Sequence, residues 1–126
     1  LIPAQYQSSD QSIHLADLVL PVSLLPNVQS EHLKDGQTVL VGIRPDFFED
    51  AIHASEASEY WRLVGSNIDL VEPLGFDKEV SILIGSESVK ARLDLRSEVT
   101  AGQTMDLVVD PARILIFDQT TGDRIQ

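Results

Sequence analysis

The stretch VSILIG, followed after Ser86-Glu87 by SVKARLDL, constrains most what this chain can become. Val80, Ile82 and Ile84 fall on one side of an extended chain, with Ser81 and Leu83 on the other. Val89, Ala91, Leu93 and Leu95 alternate in the same way with Ser88, Lys90, Arg92 and Asp94. A period of two marks a strand with one buried and one wet face. Gly85-Ser86-Glu87 between the runs has the composition of a hairpin loop. Further runs rich in Val, Ile and Leu cover 2–7, 12–20, 38–44, 61–71, 105–109 and 113–117. Asp35-Gly36, Gly75, Ala101-Gly102 and Thr121-Gly122 punctuate them. Short strands joined by glycine turns predict a mainly β chain, a small barrel or sandwich.

One stretch departs from this plan. PDFFEDAIHASEASEY holds a single β-branched residue, Ile52, and starts with Pro45 and acids suited to a first helical turn. We expect a short helical turn near 45–50 and a mobile, acidic loop over 51–60. Residues 45–60 then separate a β unit in 1–44 from another in 61–126.

Composition removes whole classes of function. A chain of 126 residues fits one domain, or two small subdomains, and can fold without staples. It has no cysteine, so thiolate catalysis, disulfides and Cys-based metal sites are excluded. Twenty acidic residues against nine basic ones give a formal charge of −11, which repels nucleic-acid phosphates and anionic membrane surfaces. No nucleic-acid partner is therefore expected. The longest apolar stretch, LADLVLPVSLLP, is interrupted by Asp17, Pro21 and Pro26 and is too short to span a bilayer. No cationic segment precedes an apolar one near the start, so no secretory leader is expected there. The chain opens on Leu1, and we expect it to be a piece of a longer protein.

Catalytic signals are poor. His14, His32 and His53 lack metal-ligand spacing, and no GxSxG elbow exposes a serine. Glu49/Asp50 and Glu56/Glu59 are acid–base candidates, but a solvated loop would leave them unperturbed. Asp118 to Asp123 lacks most ligands of a calcium loop. Neither GxxxxGK[ST] nor a strand-borne GxGxxG is present to cradle phosphates. No catalytic residue, cofactor or metal is assigned.

Several short motifs resemble, in order, a known family. LIPAQYQ is similar to the first regulatory-domain strand of sugar-importer ATPases, and LVLPV suits the next strand pair. TVLVGIRPDFF resembles the family's GIRPE signature, LVEPLG its VExLG turn, and VVDPARILIFDQTTGDRI its closing strand with FD and TG. The family is the carbohydrate ABC-transporter ATP-binding subunits of maltose, trehalose, multiple-sugar and glycerol-3-phosphate type. The likeness lies in their C-terminal regulatory, TOBE-containing region. It runs from Leu1 to Gln126 and is weakest in the middle. Asp46 stands where Glu is usual, and Phe76 where a polar residue is commoner.

The resemblance implies an OB-fold-type β-barrel of two interleaved small β units, with 1–126 as regulatory domain and 61–126 as the main TOBE segment. It implies pairing with a second copy of the same subunit, contact with its own ATPase domain, and permease subunits reached through the parent. A regulatory protein is a further partner in some members. ATP and magnesium would belong to an ATPase domain upstream of Leu1, and the chain would sit at the cytoplasmic face of the cell membrane. An oxyanion- or sugar-binding TOBE module is the alternative reading.

Within that frame the GIRPD segment has a physical interpretation. Gly42 admits a close backbone neighbour or a bulge. Pro45 lacks an N–H and keeps Arg44 out of helical geometry, so the strand stops there. The Arg44 guanidinium suits a carboxylate, with Asp46, Glu72 or an acid across a dimer interface as candidates. A staple inside its own subunit and a dimer or regulator contact both remain open. Pro73 and Gly75 have backbone reasons for their places, and Phe117-Asp118 belong to the closing strand. Phe48 and Trp61 are expected in the core. Arg44, Asp46, Phe47, Tyr60 and Glu72 are the interface candidates.

Overall fold

The computed structural model describes residues 1–54 and 60–126. The described elements are β-strands and short 3-10 turns, and among the described residues no helix is long and apolar enough to cross a membrane. The strands are β1 (Ile2–Gln7), β2 (Ser12–Leu15), β3 (Leu18–Pro21), β4 (Thr38–Gly42) and β5 (Phe48–Asp50). They continue with β6 (Trp61–Pro73), β7 (Asp77–Ile84), β8 (Glu87–Asp94), β9 (Thr104–Val109) and β10 (Leu115–Asp118).

The chain divides into two compact units, Leu1–Ile43 with Pro111–Gln126, and Arg44–Asp110. These boundaries differ from a division into 1–44 and 61–126. Residues 111–126 return to the first unit, because β10 pairs with β4 and places buried Ile116 opposite buried Val41.

In the first unit the sheet order is β10-β4-β1-β2-β3. One face is mostly apolar: Tyr6, Ile13 and Leu20 form one row across three strands, and Ile2, Val41 and Ile116 another, with Asp118 opposite Val39 at the β10 end. The expected strand 12–20 is instead a tight hairpin, with Leu15 opposite Leu18. Ala16 makes the turn at φ 51°, a left-handed conformation unusual for alanine. The sequence offers no glycine or asparagine at that point, and the gain is two buried strand faces instead of one overlong edge.

In the second unit the order is β5-β9-β6-β7-β8. This sheet curls until its edge strands β5 and β8 approach each other. β6 makes the curl possible. Its register shifts between Leu63 and Ser66 and again between Ile68 and Leu70, and each bulge adds local twist. Gly65 turns the first bulge at φ 64°, and its N–H donates to Asp106 Oδ1 at 2.8 Å. The β7–β8 hairpin closes on Gly85-Ser86, with Gly85 at φ 62° in the first central position, as a type II′ turn prefers.

Along β7 Val80, Ile82 and Ile84 are buried and Leu83 is exposed as expected, but Ser81, expected on the wet face, is buried too, its hydroxyl oxygen accepting from the Lys90 ammonium at 3.0 Å. In β8 the alternation ends one residue early: Leu95 lies beyond the strand and is exposed. The helical turn near 45–50 is a 3-10 turn, Pro45–Phe47, after which the chain becomes strand β5. Phe48 explains the change, since it is buried only when it lies extended opposite Val109.

Candidate interaction surface

Gly42 is a close-approach glycine. A Cβ there would stand 3.2 Å from Leu1 Cδ2 and 3.3 Å from Phe117 Cε2, so even alanine would displace both side chains. Phe117 continues the strand opposite Leu40, and Asp118 then organises the closing turn. Asp118 Oδ1 accepts the N–H groups of Thr120 at 2.8 Å and Thr121 at 2.9 Å, while Oδ2 accepts the Gln37 amide at 2.6 Å. The Thr121 N–H and the Gln37 amide hold the Asp118 carboxyl below the ordinary value of 3.8. A carboxyl with a lowered folded pKa contributes stability above its unfolded value and loses it as pH falls through the folded one. Asp118→Asn is accordingly expected to lower the melting temperature at pH 7, and by less as pH falls below about 3.8. Calorimetry of both proteins over that range checks it.

On the second unit, Arg44 has φ −70° and ψ 144°, the extended backbone a following proline imposes, and Pro45 opens the 3-10 turn. Arg44 Nε lies 3.7 Å from Asp46 Oδ1, and its guanidinium carbon lies 5.7 Å from the Phe47 ring centroid. Asp46 is thus the carboxylate it takes, and among the described residues no ion pair joins it to Glu72. The Arg44 side chain is 76% exposed, and pairs in that setting contribute little. Arg44→Ala should change unfolding stability by no more than about 0.5 kcal/mol, as read by urea titration. Phe47 and Tyr60 are half-buried, while Phe48 and Trp61 are in the core.

Glu72 is exposed near the end of β6, directly opposite Glu79 of β7. Pro73 closes the strand opposite Lys78, past the last β6–β9 pair at Asn67–Thr104, where its missing N–H breaks no pairing with β9. Gly75 turns at φ 95°. Arg44, Asp46 and Phe47 therefore form one small cluster, and Glu72, Pro73 and Gly75 belong to a separate hairpin end.

The acid–base candidates are redistributed. Glu49 and Asp50 lie in β5, not in a loop, and alternation sends Glu49 outward and Asp50 inward. Asp50 is buried, and it accepts the Ser97 hydroxyl at 2.8 Å and the Ile52 N–H at 3.1 Å. Glu56 and Glu59 lie outside the described residues, as do 55–59 of the expected loop. A cavity of about 160 Å³ opens where β5 faces β8, lined by Phe48, Asp50, His53, Leu93, Arg96 and Ser97. His14 bonds Asp10 at 2.8 Å, and the His32 ring meets the Gln126 carbonyl. His53 is exposed.

Sequence reasoning missed the apolar end of the β6–β7 hairpin. Phe76 is 98% exposed, Leu74 47%, and Leu70 and Leu95 45% each. Two bulky apolar residues flanking the turn glycine were the available signal, because hairpin turns are ordinarily polar.

No protein-family model matches the chain. It is similar to the trehalose/maltose import ATP-binding protein MalK of Thermococcus litoralis, at 34% identity over 90 residues, 71% of this chain and 24% of that protein. The sulfoquinovosyl glycerol transport ATP-binding protein SmoE of Agrobacterium fabrum is 31% identical over 87 residues, 69% of this chain and 23% of its own length. The trehalose import ATP-binding protein SugC of Mycobacterium tuberculosis is 30% identical over 134 residues, 83% of this chain and 34% of that one. The chain therefore spans about a quarter to a third of the length of these relatives. Among solved structures, the cytoplasmic molybdate-binding protein ModG superposes with a TM-score of 0.58 over 91% of this chain and 92% of its own, at 11% identity. The shared fold is of the TOBE, OB-type class.

Proposed function

Because the chain belongs to the ATP-binding subunits of carbohydrate ABC importers, as their TOBE/OB-type regulatory region, we propose that it works by binding and not by catalysis. Its partners in this reading are a second copy of the subunit and the ATPase domain of the parent protein. Permease subunits are reached through that parent, and a regulatory protein docks from outside. ATP and magnesium bind the ATPase domain, which hydrolyses ATP to drive solute import at the inner face of the membrane. The regulatory region keeps two ATPase domains together while they open and close.

The observation that carries this reading is kinship with import ATP-binding proteins over 71% of the chain but only 24% of the relative. A piece that small, free of phosphate-cradling motifs, fits an accessory role beside the nucleotide site. The test is to purify the chain alone and measure ATP hydrolysis and self-association by sedimentation equilibrium. We expect no hydrolysis above buffer and a reversible dimer. Turnover that disappears on substitution of this chain's own residues would overturn the proposal. Calorimetric binding of molybdate or maltose to a strict monomer would replace it with the ligand-binding alternative.

A further inference from the structure

The end of the β6–β7 hairpin carries apolar surface and uncompensated charge together. Beyond Ile68, whose backbone still bonds Gln103 and Gly102, β6 is paired with β7 alone. On this stretch Leu70, Leu74 and Phe76 are exposed, and one residue beyond the Asp77–Asp94 pair on the neighbouring strand is exposed Leu95. Monomeric surfaces seldom gather such residues, and a nearly bare phenylalanine on a turn gains nothing in water.

The charges around it are arranged unevenly. Glu79 is shared with Lys90 at 3.5 Å, Asp77 with Arg92 at 3.7 Å and Asp94 with Arg96 at 3.1 Å. The Lys78 ammonium is turned to the Ser97 carbonyl at 2.6 Å. Asp69 and Glu72 take no ion pair among the described residues, and Glu72 faces Glu79 across the ladder, a repulsive placement. The sheet thus consumes its own cations and leaves Glu72, near the apolar tip, and Asp69, in the bulge before exposed Leu70, without one.

We propose that this tip docks into an apolar socket on a partner protein whose rim carries Arg or Lys, with Phe76 and Leu74 inserted and Glu72 and Asp69 paired to the rim. The inference deepens the binding-module reading above and rests on it. A second copy is a poor occupant here, because symmetric contact would bring the same carboxylates together on chains of formal charge −11. An anionic lipid surface is repelled for the same reason.

The experiment places p-benzoyl-phenylalanine at Phe76 in the full-length subunit, irradiates cells that make it at native level, and maps the adduct by mass spectrometry. The expected adduct is a protein segment with aliphatic side chains within a few residues of Lys or Arg. Glu72→Lys should lower its yield about fivefold, the factor equivalent to roughly 1 kcal/mol. Asp69→Lys supplies a second charge reversal if the first variant folds poorly, and Arg124→Ala in the other unit should leave the yield unchanged. Adducts confined to a second copy or to lipid, no adduct, or a yield indifferent to both reversals would overturn the inference. In those cases the absence of ATP hydrolysis and the reversible dimer of the isolated chain would still uphold the binding-module reading.

Discussion

Phe48→Ala is expected to lower unfolding stability by about 3–5 kcal/mol, a large share of the roughly 5–15 kcal/mol that holds a domain together. Phe48 is 2% exposed, and Val109, which separates it from Trp61 in the sheet, is fully buried. Phe48 and Trp61 both register on Val109, one from each side, so a continuous apolar row crosses β5, β9 and β6. Removing the ring leaves a cavity that the strands cannot collapse around, because β5 is only three residues long and is pinned by the same row. Trp61 is the single tryptophan, and its fluorescence in urea therefore reports this unit directly. Ile52→Ala, at a side chain 86% exposed, is the control and should move the midpoint by the equivalent of no more than about 0.5 kcal/mol. Equal effects of the two substitutions would mean that β5 does not carry the core.

The second large effect lies at the seam between β5 and β8. Asp50 is 7% exposed and Ser97 1%, and the hydroxyl of one donates to the carboxylate of the other at 2.8 Å. No ladder joins the two edge strands, so this bond holds the seam together with apolar contact. Asp50→Ala strands the buried Ser97 hydroxyl and should cost about 1.5–3 kcal/mol. Ser97→Ala leaves the carboxylate with the Ile52 N–H, and should cost somewhat less. A double-mutant cycle is expected to give a coupling of roughly 1–3 kcal/mol. Additive effects would show that the pair does not act as a unit.

Much of the fold was legible because its strands obey simple alternation. VSILIG and SVKARLDL each have one apolar side, and burying that side determines their register within a residue. The GIRPD stop was legible for a similar reason, since proline acts through its own ring and missing N–H. The Ala16 turn was not, because no local preference calls for it; the hairpin is selected by the pairing of Ile13 with Leu20. β5 was hidden too. Three residues cannot display a period, and Phe48 extends only because Val109 awaits it from a strand far along the chain.

The candidate surface divides in the same way. A mainly β chain without cysteine chemistry, without a phosphate loop and with a strong negative charge follows from composition and local pattern alone. The sequence also carried the ordered motifs of its family. The tertiary structure alone decided that Arg44 takes Asp46, that Asp50 is inside while Glu49 is outside, and that Phe76 stands bare beside unpaired carboxylates. Those outcomes depend on which strands become neighbours and where their pairing ends, and burial and charge compensation are properties of neighbours in space.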